Sequence, residues 1–218
     1  MAIQVETRDC GALTDADLDE MASMGGAFDI GVLSKAKESW VLCTTARIDD
    51  KLNGFTFSTL ERIGGTPCVL LGLMSVKRTS KRDQFLKGLM AEAYHRALMA
   101  FPDEDVVVGS RFVIPDGLEG FRQLAELIPR PEHRAVGEER AWGRRLAKRF
   151  GVDSQYDEQS FVVRSNGQSG FLDHESLKPE KIKPEVAALF AGVKAAKGGS
   201  LVVHGWVMAE DLVKLGAR

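Results

Sequence analysis

An α/β fold, with a central mixed β-sheet flanked by helices on both faces, is predicted by three features of this 218-residue sequence. Residues 40–76 read as three consecutive strands, residues 80–101 as one long amphipathic helix, and Val106-Val107-Val108 as a buried strand directly after it. Strands joined by short turns, followed by a strand–helix–strand unit, give a sheet with both antiparallel and parallel pairs.

The strands are marked by composition and by what interrupts them. Residues 40–48 (WVLCTTARI) and 55–63 (FTFSTLERI) are rich in β-branched and aromatic side chains, and 49–54 (DDKLNG) separates them as a hairpin turn would. Gly64-Gly65-Thr66-Pro67 breaks the chain again, and 68–76 (CVLLGLMSV) follows as a nearly continuous apolar run, the pattern of a strand covered on both faces. Upstream, residues 3–7 alternate weakly as a first strand. Thr14 to Asp17 offer capping groups for a short helix over 15–24 that stops at Gly25-Gly26. A second short helix is predicted over 28–38, with Ile30, Leu33 and Ala36 at helical spacing.

The long helix opens with Ser80 and Asp83, a Ser-x-x-Asp start signal. Phe85, Leu86, Leu89, Met90, Ala93, Ala97, Leu98 and Phe101 recur at a period near 3.6, while Lys87, Glu92, His95 and Arg96 make the polar face and Pro102 stops the helix. Beyond Arg111, residues 112–114 continue the strand and 118–128 has a helical pattern, broken at Pro129 and Pro131. A helix over 138–150, a strand over 161–163, a polar loop over 166–184, a helix over 185–197, a strand over 201–208 and a terminal helix from Glu210 complete the reading. This gives a main domain over 1–165 and a C-terminal helix–strand extension over 166–218 that packs on it or completes it.

Composition narrows the function classes. A net charge of -2 and a pI near 6.1 give no overall attraction to nucleic acid or to a membrane surface, so any basic site is local. Cys10, Cys43 and Cys68 are odd in number and show no metal-ligand spacing, and two of them sit in apolar runs as small hydrophobes. Neither a metal nor a disulfide is expected. The N-terminus lacks a cationic start and an apolar core, and no apolar run is long enough to span a bilayer, so the expected location is the cytoplasm.

The basic turn over 77–82, between a buried strand and a helix start, can be a solvated connection or an anion site. A helix N-terminus carries unsatisfied N–H groups and about half a positive charge. Lys77, Arg78, Lys81 and Arg82 add to that field.

The order strand, two helices, three strands, helix, strand, helix, strand resembles the GNAT superfamily of acyl-CoA-dependent N-acyltransferases. The turn ending in Gly54-Phe55 resembles the family's second-to-third strand hairpin, and Leu73-Met74-Ser75-Val76 resembles the end of its fourth strand. Residues 141–152 (AWGRRLAKRFGV) resemble its later helix. The resemblance implies that the fourth strand splays from the fifth, leaving main-chain groups at Met74, Ser75 and Val76 for the pantetheine arm of acetyl-CoA or another acyl-CoA. It implies a pyrophosphate site on Lys77, Arg78, Lys81, Arg82, Asp83, Gln84, Phe85 and Leu86. The family's usual loop glycines are absent from 81–86, and Ala147 stands where the family commonly has an acidic tyrosine.

Three residues are candidates for catalysis: Glu61 as a general base, Ser110 as a bridge to the acceptor amine or a water, and Tyr156 as a substitute acid. Each also has an ordinary reading, as a surface glutamate, a strand-end serine and a packed tyrosine. His95 falls on the polar face of the long helix, His133 and His174 lie in predicted loops without partners in spacing, and His204 reads as a core or edge residue. Arg140, Arg144, Arg145 and Lys148 share a helical face that is either solvated or, in a third and weaker functional reading, a phosphate contact on nucleic acid. The expected function is acyl transfer to an amine of a small molecule or peptide, with a homodimer as a compatible assembly. The alternative is a binding or regulatory protein of the same fold without transferase activity.

Overall fold

The N-terminal half builds an antiparallel sheet by hairpins, and the helices then fix which strand is added where. The computed structural model describes residues 2–25, 28–164 and 182–216. Strand β1 (Gln4–Asp9) leads through α1 (Asp15–Ala22) and α2 (Ile30–Ser39) to β2 (Leu42–Ile48), β3 (Lys51–Ile63) and β4 (Thr66–Val76). Helix α3 (Arg82–Ala100) crosses to β5 (Val106–Phe112), and β6 (Ala125–Ile128), α4 (Gly137–Arg149), β7 (Tyr156–Asp157) and β8 (Val162–Val163) follow. After α5 (Pro184–Ala188), strand β9 (Ser200–Val207) and α6 (Ala209–Leu215) close the described chain. The strand order is β1-β2-β3-β4-β5-β9-β8-β7, with β6 also paired to β9. Among the described strands only β4 and β5 run parallel, as a helix crossover requires. The mixed α/β architecture expected from the sequence is therefore present.

Alternation along β4 separates the two faces. Val69 and Leu71 pack with Phe85, Leu89, Ala93 and Ala97 of α3, while Cys68 and Leu70 pack with Trp142, Leu146 and Ala147 of α4. Helices α1 and α2 bury Leu18, Met21, Leu33 and Ala36 against Cys43, Phe55 and Phe57. Trp40 contacts both the α2 group and the α4 group, and so sits between them.

Several expectations need correction. Residues 118–128 are not a helix: the chain makes a 3₁₀ segment over Pro115–Phe121 and then β6. Gly117 and Gly120 weaken helix there, Phe121 turns back on Phe112 with ring centroids 5.0 Å apart, and Ala125 and Ile128 pair instead with Trp206 and His204. The helix predicted over 185–197 is cut to α5, after which turns bring Phe190 into the core. Glu92, assigned by periodicity to the polar face of α3, is 3% exposed. It accepts from Thr7 Oγ1 at 3.0 Å and pairs with Arg96 at 3.0 Å, because the outer strands present threonines to that turn of α3. The loop predicted over 166–184 falls almost wholly outside the described residues.

Helix α1 is fastened electrostatically. Thr14 and Asp17 form a reciprocal cap, Arg8 donates to Asp17 at 2.8 Å, and Glu20 meets Arg47 at 2.5 Å. The Arg8 hydrogen bond holds the Asp17 carboxyl down to about 2. A folded-state value below the ordinary one stabilises the fold above about pH 4, and that contribution is lost as pH falls through the depressed value. Asp17→Asn should therefore lower unfolding free energy by about 2 kcal/mol at neutral pH and by little near pH 2, as urea titrations at the two pH values would read.

Candidate ligand site at the opened strand pair

The parallel ladder between β4 and β5 has three rungs, Cys68–Val107, Val69–Val108 and Leu70–Gly109. Strand β4 runs on to Val76 and β5 to Phe112 without another rung, so the two part beyond Leu70 and Gly109. The shape of β4 changes at the same place. Thr56 opposes Met74 while Ser58 opposes Leu71, so Phe57 alone faces both Gly72 and Leu73, a β-bulge that bends β4. Farther along, Lys77 N–H donates to Asn53 O at 2.8 Å. Antiparallel alternation then turns the main chain of Ser75 toward β3 and that of Met74 and Val76 toward the parted side, where no described strand pairs with them.

The fork is held from within. Ser110 is fully buried, and its Oγ donates to Leu71 O at 2.8 Å, satisfying the first carbonyl past the last rung. Half-buried Trp40 covers Gly72 so closely that a Cβ there would lie 2.7 Å and 2.9 Å from its Cζ2 and Cδ2 atoms. Ser110 thus lies inside β5 beside the opening, where its hydroxyl serves as a strut on Leu71 and is not turned out as a bridge to an amine or a water.

Helix α3 begins beside it. Its N-cap residue is Lys81, which makes no side-chain cap, and Ser80 does not cap the helix as the sequence suggests. Thr79 takes the local role, accepting from Lys81 N–H at its hydroxyl (3.2 Å) and from Arg82 N–H at its carbonyl (3.1 Å). Next to this helix end is a cleft of about 270 Å³ lined by Lys51, Lys77, Lys81, Thr79, Ser80 and Asn53, with Asp49 as its one carboxylate. Three lysines, two hydroxyls and the end of a helix make a local positive site on a chain with no net positive charge. Lys51 was missed by sequence reasoning, although its place just after the Asp49-Asp50 turn puts it two residues from Asn53, the partner of Lys77.

The remaining sequence candidates divide clearly. Asp83, which could oppose an anion, is paired with Arg82 at 2.9 Å and its side chain is 70% exposed, so its charge faces water and an adjacent cation. Arg78 and Gln84 are exposed, whereas Phe85 and Leu86 are buried in the core and can offer a ligand main chain only. Met74, Ser75 and Val76 are buried likewise. Glu61 is a correction: it opposes Cys68, at the closed end of the pair, and accepts from Arg149 Nε at 2.6 Å. Tyr156 is another. It lies on the last strand of the sheet, separated from β4 by β5, β9 and β8, with its ring 6.2 Å from Phe161 and its hydroxyl against Gly143. Burial pushes the Tyr156 hydroxyl well above the usual phenol range, and neither it nor Ala147 supplies an acid at the opening.

His204 is buried beside Phe161, and desolvation holds it down to about 4, so it is neutral near pH 7. Arg111, an arginine in an apolar strand that drew no attention in the sequence, is fully buried and donates from Nε to Ser200 Oγ at 3.0 Å. Burial lowers it to about 10. Two of the four cations on the α4 face are engaged within the fold, Arg144 with Glu158 and Arg145 stacked 4.9 Å from the centre of the Trp142 ring, and Arg149 beside them pairs with Glu61. Among the described residues no acidic, histidine and cysteine cluster could hold a metal, and no helix is long and apolar enough to cross a membrane. The three cysteines are free and buried.

The strand order β1 to β5, two helices between β1 and β2, and a parallel pair that opens beyond its crossover helix are the arrangement that the sequence resemblance to the GNAT superfamily implied. No protein-family model and no curated protein sequence matches the chain. Among solved structures it is similar to a Bacillus subtilis acetyltransferase in complex with CoA, at 12% identity over 95% of this chain and 100% of that one, with a TM-score of 0.47. It is also similar to a Bacillus cereus GNAT-family acetyltransferase, at 11% identity over 94% of this chain and 97% of that one, with a TM-score of 0.38. The ribosomal-protein-S18-alanine N-acetyltransferase of Escherichia coli matches at 11% identity, over 62% of this chain and 86% of that one, with a TM-score of 0.37.

Proposed function

We propose that this chain is an acyl-CoA-dependent N-acyltransferase that moves an acetyl or other acyl group to an amine of a small molecule or peptide. The observation that carries the reading is the opened β4–β5 pair with a lysine-lined cleft beside α3. The residues fit such a donor in two ways. Main-chain groups of Met74 and Val76 can pair with an extended, amide-bearing arm as a strand would. Lys51, Lys77 and Lys81 supply positive charge for its phosphates.

Acyl-CoA brings an activated thioester, so the chain need not supply a nucleophile. Its contribution is to hold the reactants in line, which can lower a barrier by about 7–11 kcal/mol when the geometry is good. The strut from Ser110 to Leu71 and the indole of Trp40 fix the shape of the opening where that alignment would occur. Neither Glu61 nor Tyr156 is placed to act as base or acid in it, so the amine would arrive already deprotonated.

Calorimetric titration with acetyl-CoA and with CoA, followed by thiol release in the presence of a panel of amines, tests the reading. Saturable micromolar binding and amine-dependent thiol release are expected. No heat and no thermal shift at millimolar acetyl-CoA would remove it. Binding without turnover would favour a ligand-binding or regulatory protein, a reading that the alanine at position 147 supports.

A further inference from the structure

A second cleft, of about 330 Å³, lies between the 3₁₀ segment after β5, the end of β6 and helix α5, and shares no lining residue with the lysine-lined cleft. Its volume is in the range of small-molecule sites. Leu118, Leu127, Pro129, Val186 and Leu189 give it apolar walls. Among the described residues its charged lining is Arg122, Arg130, Lys183 and Asp116.

Arg130 is held by a relay that the sequence pattern did not suggest. Its Nη2 donates to His133 Nδ1 at 3.3 Å, and its Nη1 lies 3.9 Å from Glu139 Oε1. Since arginine only donates, Nδ1 must be the acceptor, and the proton of His133 is on Nε2, which lies 2.8 Å and 2.9 Å from the two Glu139 oxygens. Glu139 in turn accepts from Val136 N–H at 2.6 Å, which ties the relay to the first turn of α4. A guanidinium positioned in this way keeps donors in a planar fork, the geometry that suits a carboxylate. The fork is oriented before any ligand arrives, which lowers the ordering entropy of binding.

We propose that this cleft binds a small carboxylate with an apolar body, its head on Arg130 and its hydrocarbon between Leu118, Leu127, Val186 and Leu189. The site is independent of acyl transfer at the opened strand pair. His133 and Glu139 act as positioning residues for Arg130 and do not touch the ligand.

Octanoate is the probe, with octanol and octylamine as uncharged and cationic counterparts, titrated calorimetrically into the full chain. Octanoate should bind with a dissociation constant of about 0.1 mM, and octanol at least about tenfold more weakly, with no binding of octylamine. Arg130→Met should weaken octanoate by about tenfold or more without changing octanol, and Arg130→Lys should not restore it. His133→Ala should weaken octanoate by a smaller factor. Val186→Trp, which fills the cleft from an exposed helix, should abolish binding of octanoate and octanol alike while far-UV circular dichroism is unchanged. A Lys77→Ala/Lys81→Ala chain should bind octanoate as the parent does. Equal affinity for octanoate and octanol, undiminished binding by Arg130→Met or Val186→Trp, or no heat at about 10 mM octanoate would each overturn the proposal.

Discussion

Replacing Lys77 and Lys81 together by alanine should weaken acetyl-CoA binding by about 100-fold, or about 2.8 kcal/mol. Both line the cleft at the start of α3, and both are only half-buried, so their removal takes charge from the site without opening the core. A charge-assisted hydrogen bond contributes about 1.5–3 kcal/mol, and at half-exposed lysines solvent screening brings two such losses to just under the sum of the lower values. The electrostatic origin adds a second signature. Affinity of the parent should fall as salt is raised from about 50 to 300 mM, and the double variant should respond less, because part of the screened attraction is gone. Calorimetry at the two ionic strengths reads both effects. Unchanged affinity in the double variant would mean that the phosphates are held elsewhere, and the function proposed for this cleft would fail with it.

Gly72→Val should destabilise the fold by about 3 kcal/mol and lower the melting temperature by about 6–12 °C. The position needs glycine for space and not for backbone freedom. A single Cβ already meets the Trp40 indole at 2.7 Å and 2.9 Å, and β-branched methyls add to the collision. The rigid indole sits between the α2 and α4 groups and cannot swing aside without disturbing one of them. A double-mutant cycle isolates the effect: with Trp40→Ala the same substitution at position 72 should be nearly neutral, since the obstructing ring is gone. Thermal and urea unfolding of the four proteins measure the coupling. A full-sized loss in the Trp40→Ala background would place the strain elsewhere in the β4 bulge.

The parts of the fold that could be read from the residues are those where local and tertiary preferences agree. The DDKLNG turn, the uninterrupted apolar run of β4 and the period of α3 each specify one element, and the sheet follows from their order. The segment after Phe112 was misread because its apolar spacing fits a helix while its glycines and the free edge of β9 favour a turn and a short strand. Glu92 was misread for a similar reason: periodicity counts positions on a helix, and it does not see threonines on β1 and β2 that can hydrogen-bond a carboxylate. In the candidate site the basic turn over 77–82 was visible, but Lys51 was not, because it joins the cleft only through hairpin register. Glu61 and Tyr156 looked usable along the chain, yet Arg149 lies 88 positions from Glu61 and three strands separate Tyr156 from β4. Partners at such separations have no signature in a single sequence.

The placement of β9 has a consequence for how the protein is made. One flank of β5 is covered by a strand about 100 positions farther along the chain, and Val106 waits for Val207 before its ladder can form. Long-range pairing of this kind is slow, and until it happens a strand reading Val-Val-Val-Gly-Ser-Arg-Phe presents a bare margin to neighbouring nascent chains. Arg111 is the only charge on that strand. Arg111 is desolvated in the finished sheet and hydrated while that margin is bare, so the strand carries a solvated charge for only as long as it is an unpaired edge.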